Sequence, residues 1–261
     1  MRATHAVSIR ATALFGLFFW ASAPAFAQTA AAPASRLQAF SSVTVGAPPA
    51  PWRIVGLPGN KVPLMSPEIV HLDGRTVLQL RSDKNYGTVN HPVRPSSGPA
   101  RGELGPWSLQ WQWRLDQALP QADLRRKDGD DAPLKVCAMF DLPLERIPFL
   151  ERNLLRIARS VSGEALPGAT LCYVWDHQLA AGTKLANAYT ARVRFMVLDS
   201  GEAALGQWVS HARDLQADFL ASFGHESPTV PPLLAIVVGA DTDNTGGSSL
   251  GFVSDLLLMK Q

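Results

Sequence analysis

Apolar runs along this chain are short and repeatedly broken by Gly, Pro, Asn and Asp, the rhythm of an all-β protein. Thr76-Val77-Leu78-Gln79-Leu80 predicts a strand bounded by the Asp73-Gly74 turn. Ser108 to Leu115 alternates cleanly. Leu109, Trp111, Trp113 and Leu115 share one face, and Ser108, Gln110, Gln112 and Arg114 share the other, as in a half-buried antiparallel strand. Lys135 to Phe140 and Leu171 to Trp175 read similarly. In Arg192 to Leu198, Val193, Phe195 and Val197 point opposite to Arg192 and Arg194. Leu233 to Val238 is apolar throughout, which predicts a central strand covered on both sides.

Two stretches carry a helical period instead. Ile147, Leu150, Leu154, Ile157 and Val161 recur at three- and four-residue spacing. Arg146, Arg152, Arg156 and Arg159 fill polar positions, and Gly163 can end the helix. Arg213 to Phe223 is shorter, with Leu215, Phe219 and Phe223 on one stripe. Many strands with so few helices predict an all-β fold. It is a two-sheet β-sandwich of jelly-roll type with one or two short helices. Helices do not alternate with strands, so a βαβ enzyme is disfavoured, and no internal repeat is present.

The N-terminal segment has a different logic. Arg2 and Arg10 form a positive region before an apolar run from Ala11 to Ala23, and Ala25-Phe26-Ala27 is a small-x-small cleavage pattern. Residues 1–27 therefore read as a secretory signal peptide, too short for a comfortable membrane span. Residues 28–51, rich in Ala and Pro, read as a flexible leader, and 52–261 as a single β-sandwich domain. The expected location is periplasmic or secreted, with no transmembrane anchor. The whole chain carries 24 Lys plus Arg against 22 Asp plus Glu. Removing Arg2 and Arg10 leaves it near neutral, which argues against nucleic acid as a partner. Cys137 and Cys172 each lie mid-strand in a chain bound for an oxidising compartment. A cross-strand disulfide and two buried thiols both fit the sequence.

The richest polar stretch is Asp241-Thr242-Asp243-Asn244-Thr245-Gly246-Gly247, set between two apolar runs. Asp241-x-Asp243-x-Thr245-Gly246 has the alternating oxygens and turning Gly of a calcium loop. The twelfth position is Phe252 rather than a bidentate Glu, so it is not an EF-hand. An Asx-turn network satisfying its own backbone is the competing reading. Asp130 and Asp131 form a second acidic knot, which gains a site role if it meets the Asp241 loop in space. Asp218 is a third acidic candidate. Trp175, beside Asp176 and His177 at a strand end, and Tyr189 are candidates for stacking on a sugar ring. Arg192 can bind an anionic group bidentately or serve an internal ion pair.

Other chemistry is missing. Gly247-x-Ser249-x-Gly251 matches a nucleophile elbow in letters only, because no helix and no His come after it. No HExxH or CxxC spacing is present, and no Gly-rich phosphate loop.

The blocks Trp111-x-Trp113-Arg114, Gly129-Asp130-Asp131, Tyr173-x-Trp175, Asn187-x-Tyr189-Thr190-x-Arg192, Gln207-Trp208, Arg213-Asp214 with Asp218-Phe219, and Asp241-Thr242-Asp243-Asn244-Thr245 carry a family resemblance. In this order they resemble the bacterial family called domain of unknown function 3047. That resemblance implies a secreted or periplasmic protein of unknown activity, so it carries no catalytic residue across. The strand pattern is also similar to galactose-binding-like jelly rolls, in which a late Asp near a structural calcium matches Asp255 here. The expected metal candidates are thus Asp241, Asp243 and Asp255, for calcium. No other cofactor is expected.

Three functions fit these residues. The first is a non-catalytic jelly-roll domain binding a glycan or similar polar ligand of the cell envelope. The second is a glycan hydrolase using two carboxylates from Asp130, Asp131, Asp218, Asp241 and Asp243. The third is a structural or partner-binding envelope protein.

Overall fold

The computed structural model describes residues 1, 37–57, 59, 61–93, 102–162 and 166–261. The chain divides into two units, Met1–Ala32 and Pro33–Gln261. The segment expected to be a signal peptide lies, Met1 apart, outside the described residues. Every strand and helix among the described residues belongs to the second unit.

Thirteen strands and two helices run through the described residues in the order β1 Arg53–Val55, β2 Glu68–Leu72, β3 Arg75–Asp83, β4 Tyr86–Pro92, β5 Trp107–Gln117, β6 Leu134–Phe140, α1 Phe149–Ser162, β7 Ala169–Asp176, β8 Lys184–Ala186, β9 Val193–Ser200, β10 Val209–Asp214, α2 Leu215–Phe223, β11 Leu233–Asp241, β12 Ser248–Val253 and β13 Leu257–Lys260. Seven strands form one sheet in the order β1-β4-β11-β6-β7-β9-β8. The second sheet runs β10-β5-β12-β3-β2, with β13 also pairing β5. Consecutive strands such as β3 and β4, β5 and β6, and β11 and β12 lie in different sheets, so the chain winds between layers as in a jelly roll. β2 and β3 are joined by Asp73-Gly74, both at positive φ, the two-residue turn that matches strand twist.

The alternating pattern of β5 places Trp107, Leu109, Trp111, Trp113 and Leu115 against the larger sheet, all buried. They meet Leu134, Val136, Ala138 and Phe140 of β6 and Leu171, Tyr173 and Trp175 of β7 in one core. β6 and β7 were expected to be half-buried, but both are covered on either face. Their other face carries a second apolar cluster of Cys137, Cys172, Val174, Phe195, Val197 and Val237. Leu124 and Ala132, from the long β5–β6 connection, cap that cluster. β7 also pairs β9 in parallel, through a crossover that contains β8. Cys137 sits directly opposite Cys172 in the β6–β7 register, and the two form a disulfide, which decides between the bridge and the two buried thiols.

Two expectations need correcting. Ordered packing starts before Trp52: Leu37 and Phe40 are buried, and Trp52 Nε1 donates to Gln38 O at 2.8 Å. Apolar Leu37 and Phe40 find the core because the strand edges near Trp52 and His91 leave an aromatic surface to cover. The second correction concerns α1. It forms where its spacing predicts, but only Ile147, just before the helix, joins the core, and Leu150, Leu154, Ile157 and Val161 are exposed. The two sheets already cover each other, and Leu155 is the one apolar side chain of the helix that is buried. The shorter helix behaves as expected. Asp214 caps it by accepting from Gln216 N and Ala217 N at 2.9 and 3.1 Å, and Leu215, Phe219 and Phe223 are buried. No helix among the described residues is long and apolar enough to cross a membrane.

Trp111 stacks within 5.3–5.6 Å of Trp113, Tyr173 and His211 and is 3% exposed. Trp111→Ala should therefore lower unfolding free energy by about 3–5 kcal/mol, read by thermal and denaturant melts followed by circular dichroism. A variant that melts like the parent would contradict this core assignment.

Candidate functional site

β11 ends and β6 begins at the same rim of the larger sheet, which brings the two acidic segments together. Leu124 and Ala132 seat the β5–β6 connection on the outer apolar cluster, so the Asp130-Asp131 turn is held over the end of β11. Asp241 N donates to Ala132 O at 3.0 Å, and Ala132 N returns a bond to Asp241 Oδ1 at 2.7 Å. Gly246, at φ 65°, then turns the chain into β12.

Asp131 is completely buried and organises the loop. Its Oδ1 accepts from Asn244 N and Nδ2, both at 3.2 Å. Its Oδ2 accepts from Thr245 N at 2.7 Å and Thr245 Oγ1 at 2.6 Å. A carboxylate oxygen offers two lone pairs, so Asp131 is saturated by the 244–245 segment of the facing loop. Thr242 anchors the other side, with Oγ1 2.9 Å from Ser82 Oγ and its N–H donating to Asn85 O at 3.0 Å.

Asp241 Oδ2 takes the ammonium of Lys135 at 2.7 Å, and that ammonium also lies 4.9 Å from the centre of the Tyr86 ring. Burial works against the charge on Lys135, but the adjoining Asp241 outweighs it and lifts its pKa above the ordinary lysine value. The pair is thus a buried ion pair, with Lys135 as the internal counterion of the acidic rim.

Asp130 is different. Asn187 Nδ2 donates to its Oδ2, while Oδ1 is buried with no hydrogen-bond partner. Burial, opposed by the Asn187 bond and reinforced by nearby Asp241, raises its pKa from 3.8 to about 6. Asn187 is itself fixed, its Oδ1 accepting from Tyr189 N at 2.9 Å and Thr190 N at 3.1 Å. The half-exposed Tyr189 spans the rim, its hydroxyl 2.9 Å from Lys127 O and 3.0 Å from Asn244 Oδ1. Asp243 is partly buried, and burial followed by the neighbouring Asp241 and Asp131 raises its pKa too.

The structure thus brings Asp130, Asp131, Tyr189, Asp241, Asp243 and Asn244 to one rim. Four other candidates lie elsewhere. Trp175 is 1% exposed, packs on Trp113 and donates to Gly201 O at 3.0 Å, so it has no face to offer a ligand. Arg192 is buried in a bidentate pair with Glu226 at 2.6 and 3.0 Å, the internal ion-pair alternative. Asp218 accepts from Tyr173 Oη at 2.7 Å and from Arg213, beneath α2. Asp255 does not join Asp241 and Asp243, because Ser41 N and Oγ hold its carboxylate. Lys135 and Asn187 were missed as site residues. Only the lone Lys135 between Leu134 and Val136 gave a signal, an ammonium inside an apolar strand that demanded a buried partner.

Oxygens of Asp131, Asp241 and Asp243 lie within 4.8 Å of one another, the spacing of a cation site. The donor set fits a hard cation poorly. Asp131 has no free lone pair, and Asp241 already faces an ammonium. Asp130 Oδ1, unpaired but buried, and the partly exposed Asp243 are the acid groups not committed to the chain.

The sandwich and its polar rim define an all-β domain with one ordered acidic loop cluster. The chain belongs to the protein of unknown function family DUF3047, whose model matches residues 50–257. A search of curated proteins returns no match. Among solved structures the chain is similar to a native family 12 xyloglucanase from Bacillus licheniformis, with 9% identity, 84% of this chain and 100% of that one covered, and a TM-score of 0.45. It is also similar to Trichoderma harzianum endoglucanase 3 from family GH12, with 9% identity, coverage of 82% and 100%, and a TM-score of 0.39. For the cellulose-induced protein Cip1 the values are 10% identity, coverage of 80% and 91%, and a TM-score of 0.32.

The Asp130 environment has a pH signature. Its folded-state pKa near 6 exceeds the ordinary 3.8, so between those values the folded chain keeps a proton that the unfolded chain has lost. Stability attributable to Asp130 therefore falls as pH rises from about 4 to 6, and stays lower above that. Asp130→Asn should raise the melting temperature relative to the parent at pH 8 and have much less effect at pH 4. Equal effects at both pH values would contradict the buried, protonated Asp130.

Proposed function

We propose that the rim formed by Asp130, Asn187, Tyr189, Asp243 and Asn244 binds a glycan or similar polyhydroxylated ligand without turning it over. The observation that carries this reading is Asp130 Oδ1, a buried acceptor left unpaired by the chain. An unsatisfied buried polar group costs about 1–3 kcal/mol, which a ligand hydroxyl would relieve once the rim side chains that close over it move aside. Tyr189, 55% exposed beside it, offers a ring for the apolar face of a sugar. Lone-pair accounting favours this over structural calcium, because the ammonium of Lys135 already does the work a cation would do. Calcium remains a defined alternative at Asp241 and Asp243, and removal of divalent ions separates it: EDTA should leave the melting temperature unchanged.

The hydrolase reading has one specific support. Asp130, with its raised pKa, and Asp243 are the two rim acids not saturated by the chain's own donors, and glycoside cleavage uses two carboxyl groups in different protonation states. Binding is preferred because Asp131 and Asp241, the other two acids of the rim, are committed to the chain's own groups. Export after cleavage following Ala27 is part of this reading. The Cys137–Cys172 disulfide supports it, since such bridges persist in oxidising compartments.

A glycan array followed by titration calorimetry tests the proposal. The protein should bind a defined set of glycans, with Asp130→Ala and Tyr189→Ala each weakening binding at least about tenfold, or about 1.4 kcal/mol. Release of reducing ends from a bound glycan would replace binding by hydrolysis. No retention of any glycan would end both readings.

A further inference from the structure

Helix α1 presents an apolar stripe that is exposed among the described residues. Leu150, Leu154, Ile157 and Val161 are 75, 60, 61 and 81% exposed. Four large side chains in one row make a contiguous patch, not the scattered exposure common on monomers. The rest of the helix is fastened down. Leu155 is buried, Glu151 Oε2 lies 3.4 Å from Arg192 Nε and accepts from Thr190 Oγ1 at 3.3 Å, and Arg159 donates to Leu166 O at 2.9 and 2.6 Å. The helix is thus held rigidly with its stripe outward.

The spacing of the stripe identifies what fits it. Leu150, Leu154, Ile157 and Val161 are separated by four, three and four residues, the seam of a two-heptad coiled coil. The positions flanking that seam are Asn153 and Ser160 on one side and Glu151 and Ala158 on the other. Their single charge, Glu151, already faces Arg192. Two copies of the helix can therefore meet without like-charge repulsion. The arginines lie off the seam. Arg159 is turned back onto Leu166 O, and the Arg152 guanidinium lies 5.7 Å from the Phe149 ring. A lipid surface would use several free basic side chains around the apolar face, and here only Arg156 of the three is exposed.

We infer that α1 is a self-association surface, pairing with α1 of a second copy of this chain along the Leu150–Leu154–Ile157–Val161 seam. The helix is 14 residues long, so the seam extends about 20 Å. Four side chains per copy make a small contact, at the low end of the size range of specific interfaces. The dimer is therefore concentration-dependent and exchanges with monomer. The repeated patch on both copies is the isologous contact that closes as a two-fold dimer rather than growing into a filament.

Sedimentation velocity of the purified protein over a wide concentration range tests this. The average mass should rise from one chain toward two. The Leu154→Gln/Ile157→Gln double variant should stay at one chain throughout, with an unchanged melting temperature, because both side chains are exposed. Leu150→Gln/Val161→Gln should do the same and serves as the independent variant if the first misfolds. A wild type that stays at one chain at every concentration overturns the inference. So does a dimer that survives in a folded variant. A monomer that instead co-sediments with phosphatidylglycerol vesicles through these residues assigns the stripe to a lipid surface and equally overturns it.

Discussion

The arrangement of the rim depends on one buried carboxylate. Asp131 is withdrawn from water and recovers the lost hydration through four donors, two from Asn244 and two from Thr245. Charge-assisted bonds of this kind are roughly twice as strong as neutral ones, and burial makes each costly to lose. Asp131 comes from the β5–β6 connection and its donors from the β11–β12 connection. The bond set therefore ties two segments over a hundred residues apart into one surface. Asp241 and Lys135 repeat the device a few ångströms away, where an ammonium inside the sheet offsets an acid at its end.

Support for that carboxylate comes from apolar packing further down. The central strands β6 and β7 of the larger sheet are covered on both faces, and the outer cluster is what gives the β5–β6 connection a seat. Leu124 and Ala132 rest on Val174, Val197 and the disulfide of Cys137 and Cys172. Packing thus places the acidic turn, the acidic turn fixes the Asp241 loop, and the fixed loop leaves Asp130 and Asp243 as the acids not saturated by the chain. In the same way Asn187, braced by the Tyr189 and Thr190 amides, brings the β8–β9 connection to the rim.

Much of this was legible in the chain, and the reason is periodicity. β5 alternates so strictly that its buried set could be read residue by residue, and the continuous apolar run of β11 announced a central strand. The meeting of Asp130 and Asp131 with the Asp241 loop was legible only as a condition, because contact across a sheet rim is set by strand order. Trp175 was misjudged because a strand end is not always a surface. The β9–β10 connection folds over it, and Gly201 O receives its ring N–H. Asp255 looked available because it lies in a late strand connection, yet Ser41 from the N-terminal arm claims it. That arm was read as a flexible leader on composition, a property that two well-placed apolar residues, Leu37 and Phe40, can override. The stripe of α1 was read correctly as a pattern, but a pattern gives no information about which surface will cover it.

The central claim is that Asp131 holds the 242–246 loop as an ordered surface, and amide hydrogen exchange tests it most directly. The Thr245 and Asn244 amides, bonded to Asp131 at 2.7 and 3.2 Å, should exchange slowly in the parent protein. In Asp131→Ala they should exchange orders of magnitude faster while the β5 amides stay protected. Thr245 and Asn244 amides that exchange in the parent at the rate of a free peptide would contradict the account, as would a loop equally protected in both proteins.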